Sequence, residues 1–138
     1  HARAQGWAER VLIVDCDVHQ GDGTARLFEK VPGVFTLSMH AARNFPARKA
    51  KSDLDIALPN GMEDAAYLAE LASWLPGVLA AYQPDVVLYD AGVDVHHDDR
   101  RGYLSLSSDG LYARDRYVLD LCRHAAIPVA AADVLAAH

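Results

Sequence analysis

Four short, almost unbroken apolar runs rich in β-branched residues, at 11–15, 34–38, 86–89 and 128–131, constrain this chain more than any other feature. A strand that alternates apolar and polar side chains can leave one face in water. One that is apolar throughout must be covered on both faces. Runs this short suit strands rather than helices. Helical patterns separate most of them. The clearest spans about 63–82, where Leu68, Leu71, Leu75, Val78, Leu79 and Tyr82 recur at three- and four-residue spacing. Pro76 falls inside that pattern and is expected to kink or split it, because it removes a backbone donor and crowds the preceding turn. A second helix is expected over about 109–125, with Val118, Leu121, Cys122 and Ala125 on one stripe and Ser107 or Ser108 as N-cap. Asp109 suits its positive end. Buried strands alternating with amphipathic helices imply an α/β fold, a three-layer αβα arrangement around a mainly parallel, doubly wound sheet.

The stretch 41–61 is too long for a bare connection, so it is read as a functional loop or as hiding a short strand near 55–58. Its Arg43, Arg48, Lys49 and Lys51 are locally basic and read as a solvated face rather than an anion site. The whole chain carries a formal charge of −6, which argues against a nucleic-acid or anionic-membrane binder. Small molecules or basic protein segments are the expected partners. Cys16 and Cys122 have no CxxC spacing, so a reducing, cytoplasmic setting without a disulfide is expected. No apolar run approaches the roughly 20 residues that span a bilayer, and HARAQGWAER lacks the apolar core of a signal peptide. The chain opens in what reads as the end of a helix and stops at Ala136-Ala137-His138, so either end is a candidate truncation and residues 1–138 read as one partial domain.

The strongest local signal is VLIVDCDVHQGDGT, residues 11–24, where an apolar strand ends in Asp15, Asp17 and His19 at two-residue spacing. In extended backbone that spacing turns all three side chains to one face, beyond the carboxyl end of a strand, where open α/β sheets place their sites. A lone DxH is more often a helix cap or a polar loop. A second run, VVLYDAGVD at 86–94, changes the balance by delivering Asp94 from another strand end, with Ala91-Gly92 allowing close backbone packing. Two acids and one imidazole leave an open coordination position, the catalytic rather than the structural pattern. The set suits zinc, iron or cobalt better than calcium or magnesium. Cys16 alternates away from these side chains and reads as a small buried hydrophobe.

DCDVHQGDGT, followed in order by TLSMH, NFP, LPNG, PDVVLYDAGVD and DDRRG, resembles the zinc-dependent histone deacetylase and acetylpolyamine amidohydrolase family of the arginase/deacetylase superfamily. The HQGDGT and RNFP wording is most similar to its class IV branch and bacterial relatives, and the resemblance covers roughly 11–129. It implies an arginase/deacetylase-like fold, here incomplete, with Asp17, His19 and Asp94 binding the catalytic Zn2+, or Fe2+ in its place. Asp15 would be an acid behind the ligands that orients a histidine. The resemblance also groups Asp15, Asp17, His19, Ser38 and Met39 around a structural K+, partly through carbonyls, and sets Phe28, Val31 and Val34 at a second such ion. Phe45 matches an aromatic wall of the acyl-lysine channel, the alternative being a simple core residue. Arg101 stands where the family usually has an apolar channel residue. Facing the pocket it would favour an acidic acyl group; facing solvent it would decide nothing.

The reaction implied is hydrolysis of an acyl-lysine peptide or an acetylated small amine by metal-activated water. The family supplies the base from a His-His pair upstream of DxH and the oxyanion donor from a tyrosine in a downstream GGGY element. Neither motif stands in these residues. His96-His97 follows the third ligand and reads as a solvated loop pair, and Tyr89, Tyr103 and Tyr112 match no family position. No catalytic residue is therefore identified beyond the metal ligands and Asp15. Two readings stay open: the metal-bearing segment of a deacylase, and a catalytically incomplete remnant that binds metal or a partner. A ureohydrolase ranks last, since DAHxD and DxDxxDP are missing. An incomplete sheet is also expected to self-associate through its exposed edges.

Overall fold

In the computed structural model, residues 1–132 are described; the chain's ending, Ala136-Ala137-His138, lies outside them. The elements are β1 (Val11–Asp15), α1 (Asp22–Phe28), β2 (Val34–Ala41), β3 (Leu54–Leu58), α2 (Asp64–Tyr82), β4 (Val86–Asp90), α3 (Ser108–His124) and β5 (Val129–Ala132). All five strands are parallel, in the order β3-β2-β1-β4-β5. β1 has the expected bounds, and β3 is the strand concealed in the long basic stretch. β2 runs three residues further than its apolar pattern indicated, through Met39, His40 and Ala41.

Register assigns the two faces. Leu12, Val14, Leu37, Met39, Ile56, Leu58, Val87 and Tyr89 point one way, and all are buried in one core with Leu71, Leu75 and Leu79 of α2 and Leu111, Val118 and Cys122 of α3. The other face carries Ile13, Asp15, Thr36, Ser38, His40, Leu88 and Asp90. Over it lies α1, with Ala25 buried and Gly21 donating to the Ser38 hydroxyl at 3.4 Å. One helix on one face and two on the other follow from handedness: β1 steps to β2 in one direction and β3 to β4 to β5 in the other, so right-handed crossovers must leave on opposite faces. Cover is uneven. Leu88, mid-strand in β4, remains 42% exposed on the α1 side.

α2 is continuous across Pro76, so the expected kink or split does not divide the helix. Proline frees the carbonyl four residues earlier, and Ala72 is exposed there, where water can serve that group. Its buried stripe is Tyr67, Leu71, Leu75 and Leu79, with Tyr67 taking the place expected for the half-buried Leu68. Among the described residues no helix is long and apolar enough to cross a membrane, and both cysteines are free and buried.

The starts of α2 and α3 share one carboxylate. Ser107 caps α3 by accepting from the Gly110 amide at 3.0 Å, while the Ser107 amide donates to Asp64 at 2.8 Å and its hydroxyl to the other Asp64 oxygen. Gly110 is held against the same carboxylate, and a Cβ there would collide with it. Asp64→Ala and Gly110→Ala should each therefore lower stability by roughly 1–2 kcal/mol, the range for losing a helix cap. Urea or thermal unfolding of the full chain checks this, and wild-type midpoints for both variants would refute the shared latch.

Candidate metal centre

The strand order reverses between β1 and β4, so the crests of these two strands border a crevice at the carboxyl end of the sheet. Beyond Asp15 the chain turns sharply, and its acids accept the amides that the ladder no longer uses. The Asp17 amide donates to Asp15 at 3.0 Å and the His19 amide to Asp17 at 2.8 Å. Gly21 closes the turn where a Cβ would run into the Asp15 carboxylate. Beyond β4, Gly92 admits Asp17: a Cβ on it would stand 2.8 Å from both the Cα and Oδ2 of Asp17. The Val18 amide then donates to Asp94 Oδ1 at 2.9 Å, which ties the two crests across the crevice.

The result is convergence. His19 Nδ1 lies 3.0 Å from Asp17 Oδ1 and 3.1 Å from Asp94 Oδ2, and the three residues offer donor atoms within 4.8 Å of one another. Metal–ligand bonds of about 2.0–2.1 Å in a tetrahedron put neighbouring donors about 3.3 Å apart, so this spacing fits one small divalent ion. Two oxygens and one nitrogen suit zinc or ferrous iron, whereas calcium would require six to eight oxygens. The side chains are 31%, 39% and 23% exposed for Asp17, His19 and Asp94, which leaves an open side for water or substrate.

Acidic groups crowd this crest. Burial raises the Asp94 carboxyl above its ordinary range, with Asp17 adding to the effect while the Val18 amide and His19 oppose it. Asp15, 8% exposed, is pushed up to about 7, chiefly by burial, with Asp90, Asp17 and Asp94 adding and the Asp17 amide opposing. Ser38 stands beside Asp15 in the ladder, its hydroxyl 2.9 Å from His40 Nδ1. Met39 is fully buried on the opposite face, so toward this site it presents backbone alone.

Phe45 is 68% exposed, which overturns the core alternative. Asn44 joins its loop to that of Arg101: the Phe45 amide donates to Asn44 Oδ1 at 2.7 Å, and Asn44 Nδ2 donates to the carbonyls of Arg101 and Gly102, the latter at 3.0 Å. Gly102 in turn lies over the Asp94 carbonyl, where a Cβ would collide. The Phe45 and Arg101 loops thus form one rim connected to Asp94, with the Arg101 side chain exposed. His96, His97 and Asp98 also offer atoms within 4.8 Å of one another. However, His96 Nε2 lies 3.1 Å from the Ser108 hydroxyl and its Nδ1 accepts the Asp98 amide at 3.2 Å, so both ring nitrogens are engaged.

Sequence reasoning missed Arg114. Its guanidinium is fully buried under the crest and bonds to Cys16, Ala91, Gly92 and Asp115. The available signal was a charge inside a buried helical stripe, three residues after Leu111 and four before Val118.

Known proteins share this architecture. The acetylpolyamine aminohydrolase from Burkholderia pseudomallei matches with a TM-score of 0.80 over 94% of this chain and 41% of its own, at 23% identity, which shows the arginase/deacetylase fold. An uncharacterized protein of Picosynechococcus is 54% identical over 126 residues, covering 91% of this chain and 42% of that one. Histone deacetylase 2 of Arabidopsis thaliana is 32% identical over 123 residues, covering 87% of this chain and 32% of its own. The chain thus spans 32% to 42% of the length of these relatives. With the histone deacetylase domain model matching residues 1–133, the chain belongs to the histone deacetylase domain family.

Proposed function

We propose that this chain carries the metal site of a divalent-ion-dependent amidohydrolase that removes acetyl groups from lysine side chains or small amines, with Zn2+ as the first choice of ion and Fe2+ as the second. The observation that carries this reading is the convergence of Asp17, His19 and Asp94 within 4.8 Å at the β1/β4 crevice. A bound ion would supply Lewis-acid polarisation of an amide carbonyl and would lower the pKa of water from about 15.7 towards ~7. The chain's own residues set the geometry. The Val18 amide occupies Asp94 Oδ1 and leaves Oδ2 turned to His19, while the His19 amide fixes Asp17 from within the same turn. Phe45 presents an exposed flat apolar face on the rim, suited to the aliphatic stem of an acetylated lysine or amine. The net charge of −6 favours basic protein segments and polyamines. The adjacency of Asp15 and Ser38 in the ladder supports the reading that they join Asp17, His19 and Met39 around a K+ behind the site, partly through backbone carbonyls.

Amide hydrolysis also requires a base for the water proton and a donor for the oxyanion. Within this chain the Tyr89 hydroxyl donates to Asp115 at 2.7 Å, and the His96 ring is engaged by Ser108 and Asp98. Those commitments favour a second reading for the chain taken alone, a metal-binding remnant without turnover.

Metal removal and reloading test both. The full chain, stripped with a chelator and titrated with Zn2+, should take up one equivalent at this site, and Asp17→Asn and Asp94→Asn should each weaken it by about 100-fold or more, beyond what loss of an outer partner costs. No uptake by the unsubstituted chain would sink the proposal. Release of acetate from an acetyl-lysine peptide or an acetylated polyamine by the loaded chain supports the hydrolase, and stoichiometric metal without release supports the remnant. Gly92→Ala should weaken zinc by roughly 10-fold or more by displacing Asp17, since its new Cβ meets the Asp17 backbone, which cannot yield as a flexible side-chain tip would. Equal affinity would show that the crests have slack.

The exposed Leu88 on the α1 side, next to exposed Ala130 and Ala132 of the edge strand β5, supports self-association of the isolated chain. Sedimentation should show concentration-dependent species, and Leu88→Gln should reduce them. A sharp monomer of the unsubstituted chain would refute this reading.

A further inference from the structure

We infer that Arg114 is the positioning residue that holds the two ligand-bearing crests together, so that Asp17 and His19 from one and Asp94 from the other meet at a single divalent ion. This rests on the proposed metal site and names the device that assembles it. The β1 and β4 ladder ends at the pair Asp15 and Asp90, followed by the Cys16 amide donating to the Asp90 carbonyl at 2.9 Å. From there the backbones must part, because their onward connections leave on opposite faces of the sheet. Their carbonyls then point into a dry core. Arg114 reaches from α3 into that gap and bonds to both chains at once. Nη1 donates to Cys16 O at 3.2 Å and to Gly92 O at 2.9 Å, and Nη2 donates to Ala91 O at 2.8 Å. The three acceptors immediately precede or closely flank the ligands: Cys16 is one residue before Asp17, and Gly92 is two before Asp94.

The guanidinium is itself anchored. Nε donates to Asp115 Oδ1 at 2.9 Å, and that oxygen also accepts the Tyr89 hydroxyl of β4 at 2.7 Å. Arg114 is 0% and Asp115 6% exposed, so this is a water-excluded network in which a misplaced group finds no substitute partner. Four of the five guanidinium N–H donors are thereby used. A lysine, whose donors radiate from one atom at the end of a flexible stem, cannot span Cys16, Ala91, Gly92 and Asp115 together. Arg114 touches none of the ligand side chains; its effect passes through their backbone.

Arg114→Lys, which keeps the charge, and Asp115→Asn, which keeps the volume, test the role in the full chain, with Leu75→Val in the α2 core as a control that loosens packing away from the crest. Zinc affinity by chelator competition and the visible spectrum of the Co2+ form are read beside the thermal midpoint. Arg114→Lys should weaken metal binding by about 10–100-fold and alter the Co2+ spectrum, Asp115→Asn should do so less, and Leu75→Val should do neither. Should Arg114→Lys fail to fold, Asp115→Asn against Leu75→Val carries the same comparison. Wild-type affinity and spectrum in the Arg114 and Asp115 variants, or equal losses in Leu75→Val, would overturn the role. An unsubstituted chain that takes up no divalent ion would instead overturn the proposed function.

Discussion

Two neighbouring parallel strands whose onward connections depart on opposite faces of a sheet must separate at their carboxyl ends, and the separation of β1 from β4 is the constraint on which the rest of this structure depends. It ends the ladder at Asp15 and Asp90 and leaves unpaired backbone at the crest. Buried backbone groups must find partners. Here side chains supply them: Asp15, Asp17 and Asp94 accept the amides of Asp17, His19 and Val18, and Arg114 donates to the carbonyls of Cys16, Ala91 and Gly92. The residues that terminate the sheet are thus the residues that build the site.

That arrangement concentrates negative charge. Asp15, Asp17, Asp90 and Asp94 stand on two adjacent crests, and burial together with mutual repulsion raises the carboxyls of Asp15 and Asp94. Coulomb energy at these distances is several-fold larger in a partly buried site than in water. The amides of Asp17 and Val18 offset a part of it, and a divalent ion among Asp17, His19 and Asp94 would offset much more. Electrostatic strain of this kind is characteristic of a site shaped for a cation rather than of a surface acidic patch, where water would screen it.

β1 was legible because burial on both faces writes an unbroken apolar run, VLIVD, and it accordingly has the expected bounds; β4 carries a similar run, VVLYD, although its Leu88 is exposed on the α1 side. β3 was hinted at only by the length of its loop, since as an edge strand with a half-exposed pattern it carries little apolar signal. Tyr67 was passed over in α2 because its hydroxyl counts against burial in any hydrophobic pattern, although the ring is fully enclosed. Pro76 was expected to break that helix and does not, because the carbonyl it frees belongs to an exposed residue. Asp17 and His19, as candidate ligands, could be read from two-residue spacing past a strand end. Asp94 could be matched to them only by assuming that two crests 75 residues apart are neighbours.

Sequence by itself determined the chemistry: which residues can ligate, which runs must be buried, and the ordered motifs that mark the family. The tertiary structure decided which of those residues meet. Strand order set β4 beside β1, Gly92 and Gly102 admitted the close approaches, and Asn44 drew the Phe45 and Arg101 loops onto one rim. Arg114 left only a faint trace, a charge in the stripe between Leu111 and Val118, and its role was decided in the same way. The stripe can mark Arg114 as buried, but what it bonds to depends on the carbonyls of two distant segments converging on it, and convergence is a property of the folded chain that no local pattern encodes.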